Sequence, residues 1–228
     1  MSTLPEGVAP GESVTPGEAV AEAPADCPLC PRLAAFRHEN RRLFPDFHND
    51  PVPSFGPTDA RLLIVGLAPG LKGANRTGRP FTGDYAGELL YETLIAFGFA
   101  QGRYAARPDD GLRLVDARIA NAVRCVPPEN KPTGAEVATC RRFLEGTLAE
   151  MPRVRAIVVL GRIAHDALLG ALGLRKAAYR FAHGAVHAVP GRPAVFDSYH
   201  CSRYNTNTGV LTPEMFRAVF AAVRAHIG

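Results

Sequence analysis

The chain has 228 residues, 46% of them apolar, which fills one sizeable core but not two well-packed domains. No stretch approaches the roughly 18 apolar residues of a membrane span, and no basic start followed by an apolar run marks a secretory signal, so a soluble, cytoplasmic chain is expected. The formal charge of +4 understates the main body: from residue 27 onward 26 basic side chains face 17 acids, a net of +9, which suits a polyanionic partner. Only Lys72, Lys131 and Lys176 are lysines, so a plain bias toward arginine explains the excess equally well.

Residues 1–26 hold no Lys, Arg or aromatic residue and read as a disordered acidic, Pro/Gly-rich tail, leaving 27–228 as a single domain. "RLLIVGL" (61–67), "ARIANAV" (117–123) and "VRAIVVLG" (154–161) are short, nearly continuous apolar runs, as expected of strands buried on both faces. Helical patterns alternate with them in "GELLYETLIAFGF", "PTGAEVATCRRFLEGTLAEM" and "RIAHDALLGALGL". "HGAVHAV" and "PAVFDSYH" suggest one or two last strands, and a closing helix follows Thr212 as its cap and Pro213 in its first turn. The fold class is α/β, a parallel sheet with helices on both sides. In such sheets ligands bind at the carboxyl ends of the strands, so the loops starting at Gly66, Asn121 and His200 should face one crevice.

The first of these loops, "GLAPGLKGANRTGRPFTGDYAG" (66–87), is glycine-rich yet lacks both phosphate signatures. Three residues rather than four separate Gly66 from Gly70, Lys72 is followed by Gly73, and no G-x-G-x-x-G occurs. What remains is a loop with Arg76 and Arg79, suited to a nucleic-acid backbone, and Phe81, able to stack on a base. Read blandly, Phe81 is core and Asp84 is a helix cap or first-turn acid.

Cys27 and Cys30 form a C-x2-C pair, 94 residues precede Cys125, and 14 more precede Cys140. One tight pair among four thiols leaves zinc and an iron–sulfur cluster both open. Cys201 stands beside His200, but neighbours on an extended chain point in opposite directions, which argues against a Cys–His catalytic pair.

Together, the 66–87 loop, "NAVRCVPPENKP", "HCSRYNTNTGVLT" and the four cysteines resemble the uracil-DNA glycosylase superfamily, within it family 5, the iron–sulfur branch, over residues 27–226. The resemblance implies a three-layer α/β/α sandwich on a short parallel sheet. It also implies a structural [4Fe-4S] cluster on Cys27, Cys30, Cys125 and Cys140, and a monomer that acts on DNA containing a deaminated base. Such an enzyme would flip out uracil, or a deaminated purine such as hypoxanthine or xanthine, and hydrolyse its N-glycosidic bond. Gly66, Leu67, Ala68, Phe81, Asn121 and His200 would then form the base pocket. His200 would stabilise the leaving anion, Asn121 would read the base edge, and Asp84 would position water or support the cationic sugar. Arg76, Arg79, Ser202, Arg203, Tyr204 and Asn205 would contact DNA. The other histidines, His38, His48, His165, His183, His187 and His226, are expected to be structural.

Two departures stand out. Leu67 occupies the place of an acid in the better-known family 4, a uracil-only alternative, and His200-Cys201-Ser202 replaces the usual His-Pro-Ser, losing a fixed φ angle. Lysine scarcity implies a monofunctional enzyme, because strand cutting usually needs an amine for a Schiff base. The rivals are a non-enzymatic metal-containing DNA-binding protein, which would bind DNA without releasing a base, and a hydrolase of free nucleotides, which would prefer them to duplex DNA.

Overall fold

The apolar runs become the buried strands of one sheet, and every residue of its four longest strands is buried. The computed structural model describes residues 20–228. Its elements begin with α1 (Pro31–Leu43), β1 (Leu62–Gly66), α2 (Ala74–Thr77), α3 (Tyr85–Ala96), β2 (Ala100–Gln101), β3 (Arg113–Leu114) and β4 (Ala117–Asn121). They continue with α4 (Gly134–Ala149), β5 (Ala156–Leu160), α5 (Arg162–Ala171), β6 (Val186–His187), β7 (Ala194–Ser198), α6 (Arg203–Asn207) and α7 (Pro213–Ile227).

The sheet runs β4-β1-β5-β7-β6; the first four strands are parallel and the short edge strand β6 is antiparallel to β7. Strand residues alternate between two cores. Leu62, Ile64, Val158, Leu160 and Phe196 meet Leu90, Leu94, Phe216 and Phe220 of α3 and α7, whereas Leu63, Val65, Ile157, Val159 and Val195 meet Leu144 of α4 and Ala164 and Leu168 of α5. This is the three-layer α/β/α sandwich. Among the described residues no helix is long and apolar enough to cross a membrane.

The helix termini follow local chemistry. Thr212 caps α7 by accepting from the Met215 amide (3.2 Å), with Pro213 in the first turn. At α4, Thr133 and Glu136 form a reciprocal capping box, and Glu136 also accepts from Arg32 of α1 (2.7 Å).

Helix α1 carries no apolar stripe in the sequence because its buried face is mostly polar: Leu33, Arg37 and Asn40. The tail expectation also needs correcting. Residues 20–26 pack on the body: Ala21 is buried, Glu22 accepts from the Ser54 amide (3.0 Å) and pairs with Arg118 (3.3 Å) and Arg124 (3.4 Å), and Asp26 pairs with Arg41 (2.7 Å). These acids meet arginines distant in sequence, a complementarity that composition does not reveal. Residues 1–19 of the expected tail lie outside the described residues.

Candidate active site

Parallel register places the ends of neighbouring strands side by side: Gly66 of β1 pairs with Asn121 of β4, and β7 ends at Ser198, two residues before His200. A cavity of about 660 Å³ opens there, lined by Leu67, Ala68, Gly70, Lys72, Phe81, Asp84, Tyr85, Asn121, Asn130, His200, Ser202 and Arg203 among others. The three loops expected to share one crevice do share it.

Glycines in the 66–87 loop make room for side chains rather than for phosphate. A Cβ at Gly66 would collide with the Asn121 side chain and the Phe81 ring, and one at Gly73 would collide with the Asp84 carboxylate. Phe81 is mostly buried and has a left-handed φ of 52°, a conformation that costs a non-glycine residue of order 1–3 kcal/mol. Its backbone is held from behind: Tyr104 donates to the Phe81 carbonyl (3.2 Å) and Tyr91 to the Pro80 carbonyl (2.6 Å). The ring faces His200, with centroids 5.9 Å apart and planes inclined by 30°.

The polar groups in the cavity are left free to act. Asn121 is 2% exposed and its buried Oδ1 has no partner among the described residues, an arrangement that costs stability unless a ligand donates to it. Asp84 stands at the N-cap position of α3, yet its side chain makes no cap hydrogen bond, Oδ1 has no partner among the described residues, and burial raises its pKa. Burial also pushes the His200 pKa down to about 4, so the imidazole is neutral at neutral pH. Cys201 points the other way, fully buried, with its thiol donating to the Ala86 carbonyl (3.4 Å), so no Cys–His pair forms.

Cys27, Cys30, Cys125 and Cys140 line a second, small cavity with Leu33, Arg37 and Phe143. Tetrahedral zinc would draw its four sulfurs to roughly 3.8 Å from one another. Among the described residues no three of these sulfurs lie within 4.8 Å of one another. Burial pushes the Cys30 thiol up to about 11 and Cys140 up to about 12, so a cationic group is needed to draw off the protons. Two donors already face the sulfurs: Arg37 Nη1 lies 3.6 Å from Cys125 Sγ and the Arg124 amide 3.3 Å from Cys140 Sγ. Four thiols on one cavity with N–H donors to two of the sulfurs are a set that an iron–sulfur cluster can use.

A family model described as "Uracil DNA glycosylase superfamily" matches residues 53–224. The chain belongs to that superfamily. A type-5 uracil-DNA glycosylase of Thermus thermophilus is 47% identical over 92% of this chain and 98% of its own length. One of Pyrobaculum aerophilum is 40% identical over 89% and 90%. A type-4 uracil-DNA glycosylase of Thermotoga maritima is similar over less of each chain, 35% identical across 64% of this one and 62% of its own. The higher identity and the near-complete coverage of both chains put this chain in the type-5 branch.

Arg79, expected to contact DNA, is buried instead. Arg79 is 5% exposed, forms a two-pronged ion pair with Asp110 (2.8 Å for each bond), donates to Thr82 (2.7 Å) and lies among the rings of Phe55, Tyr91 and Tyr104. It supports the Phe81 loop from beneath and cannot reach a phosphate. Arg79→Ala should cost about 3–5 kcal/mol by stranding the buried Asp110 carboxylate; a urea midpoint shift worth under about 1 kcal/mol would refute that role.

Lys72 and Arg203 are exposed and line the cavity, and Arg76 and Tyr204, the latter 75% exposed, stand on the same loops. Ser202 caps α6 by accepting from the Asn205 amide (3.4 Å), and Asn205 donates to the His200 carbonyl (2.8 Å), so both shape the loop that carries His200. Sequence reasoning missed Tyr85 and Asn130 as lining residues. Asn130, at φ 57°, arrives from a turn that only the fold brings to the pocket, whereas Tyr85 follows Asp84 directly and adjacency alone could have flagged it.

Proposed function

We propose that this chain is a uracil-DNA glycosylase that flips a deaminated base out of DNA and hydrolyses its N-glycosidic bond, leaving an abasic site with the strand intact. The observation that carries this reading is the convergence of Phe81 and Asp84 of one loop, Asn121 at the end of β4 and His200 after β7 on one cavity.

Extruding a base costs a few kcal/mol of stacking and pairing. Phe81 recovers part of that by stacking on the extruded ring, and the free Asn121 oxygen accepts from the N–H on the edge of uracil. The bond between the base and C1′ of the sugar breaks with its electron pair leaving on the base, so the base departs as an anion and the sugar becomes cationic. The neutral imidazole of His200 donates to the base carbonyl where that charge collects, a role of the oxyanion-stabilising kind. Asp84 faces the sugar side, where a carboxylate supports the cation and accepts a proton from the attacking water. The apolar Leu67 wall and the cavity's size also admit hypoxanthine and xanthine. Cys27, Cys30, Cys125 and Cys140 hold a structural [4Fe-4S] cluster that cross-links the N-terminal segment, the end of β4 and α4.

At the rim, Tyr204 is the group that fills the gap left by the flipped base. Tyr204→Ala should weaken binding to a uracil duplex about tenfold or more, in line with about 1–3 kcal/mol for a base stacked on an aromatic ring. Equal affinity of the two proteins would remove Tyr204 from that role.

The reading is tested with a labelled duplex containing one central uracil, incubated with the protein and examined on a denaturing gel with and without alkali. A break at uracil only after alkali is expected. A break without alkali contradicts the monofunctional reading, and no release of uracil, nor of hypoxanthine or xanthine from duplexes that carry those bases, leaves a DNA-binding protein without the activity.

A further inference from the structure

The segment that delivers His200 is gripped from behind by histidines. His165 of α5 is 1% exposed, with Nε2 2.9 Å from the Tyr179 carbonyl and Nδ1 2.7 Å from Asp197 Oδ1 on β7, which is fully buried. A carbonyl oxygen only accepts, so Nε2 carries a hydrogen. A neutral ring would then turn a bare Nδ1 toward a carboxylate oxygen, setting two lone pairs against each other. The contact closes only with one further proton between Nδ1 and Asp197, and the N–H groups of Ala182 and His187 on the other oxygen favour an ionised Asp197, which places that proton on the ring as an imidazolium.

The other oxygen of Asp197 accepts from His187 Nε2 (2.9 Å) and the Ala182 amide (3.1 Å). Two residues further along, the Tyr199 amide donates to His183 Nδ1 (3.1 Å), and the two rings stack at 5.0 Å and 21°. The stretch 179–187 thus holds the last turn of chain before His200 at two successive points.

We propose that His165 is a positioning residue, protonated at neutral pH, whose buried ion pair with Asp197 fixes the strand end that carries His200 into the pocket. The titratable and charged groups around it are Asp197 on β7, His187 on β6, Tyr179, and Asp166 on its own helix, which pairs with Lys176 (3.4 Å). Burial alone would lower its pKa, but the Asp197 hydrogen bond, the Tyr179 carbonyl and the charge of Asp197 outweigh burial and raise it. A ring that gains proton affinity on folding stabilises the fold fully below the unfolded histidine value and loses that contribution as pH rises through the folded one.

The excision part of the test rests on the glycosylase reading; the protonation part does not. Nitrogen NMR of the whole protein should show hydrogens on both ring nitrogens of His165 at neutral pH. Thermal stability and single-turnover excision should both fall on the alkaline side, excision by about tenfold per pH unit beyond the folded pKa, the slope of one required proton. D197N separates this from ordinary alkaline loss: its carboxamide N–H can donate to a neutral His165 while its oxygen still accepts from His187 and Ala182. That variant should keep excision within a few-fold of wild type at neutral pH and lose the alkaline fall. An unprotonated Nδ1 at neutral pH, or a metal ion bound there instead, overturns the proposal. So does a folded D197N that follows the wild-type alkaline fall or is inactive at every pH. A chain that releases no base would sink the glycosylase reading, while the NMR and thermal results would still decide the ion pair.

Discussion

His200→Ala lowers the single-turnover rate of uracil release about 10²- to 10³-fold, the cost of roughly 2.7–4 kcal/mol for removing one donor from a developing anion. The effect falls on the chemical step, because the donor gains most when the charge on the carbonyl oxygen is greatest. Binding of an uncleavable uracil duplex should change far less. Stability moves the opposite way. Burial holds the His200 pKa near 4, below its unfolded value, so the unfolded chain takes up a proton first as pH falls, and the native state loses stability between the ordinary histidine range and about 4. Alanine removes that liability, so the variant should resist acid better than wild type while excising worse. A rate within tenfold of wild type at saturating enzyme would mean that the leaving base is stabilised elsewhere, with Asn121 the next group to test.

Much of the site was legible because strand ends and ligand crevices coincide in parallel sheets. Once "RLLIVGL" and "ARIANAV" read as strands, Gly66 and Asn121 had to emerge on the same rim, and the register sets them opposite each other. Arg79 was misread because its partner, Asp110, lies 31 residues away, and nothing local distinguishes an arginine bound for phosphate from one bound for a buried carboxylate. Helix α1 escaped notice for a related reason. Its buried side chains include Arg37, which donates to Cys125 Sγ and the Cys27 carbonyl, and Asn40, whose backbone carbonyl accepts from Asn49, so hydrophobic periodicity carries no trace of it. The histidines near β7 read as bland one at a time; their arrangement around Asp197 exists only in the fold.

Cys140→Ala should abolish iron binding and destabilise the chain by more than about 4 kcal/mol, the range associated with losing a structural metal, or a fall in Tm of roughly 8–16 °C for a chain of this size. The cavity lined by the four cysteines joins the N-terminal segment, α1, the end of β4 and α4, and its apolar lining is thin: Leu33, Val123 and Phe143 form most of the small core there. Without a cluster, four buried thiols would stand where few aliphatic groups pack, and α1 would keep only partly exposed ion pairs, Arg32 with Glu136 (43% exposed on the arginine side) and Arg41 with Asp26 and Asp50, each of them weak. Arg124 should limit the damage near the pocket. It is 1% exposed and donates to Ser54, Thr147 and the carbonyls of Ala21 and Phe143, bonds that hold the chain just after Asn121 independently of the thiols. Proteolysis of the variant should therefore begin in α1, before the sheet is cut. Cys201→Ala is the control, because that thiol packs on Ala86 on the opposite side of the sheet, and it should retain its full iron. Zinc in place of iron in the wild-type protein would replace the cluster with a single-ion site and overturn this prediction.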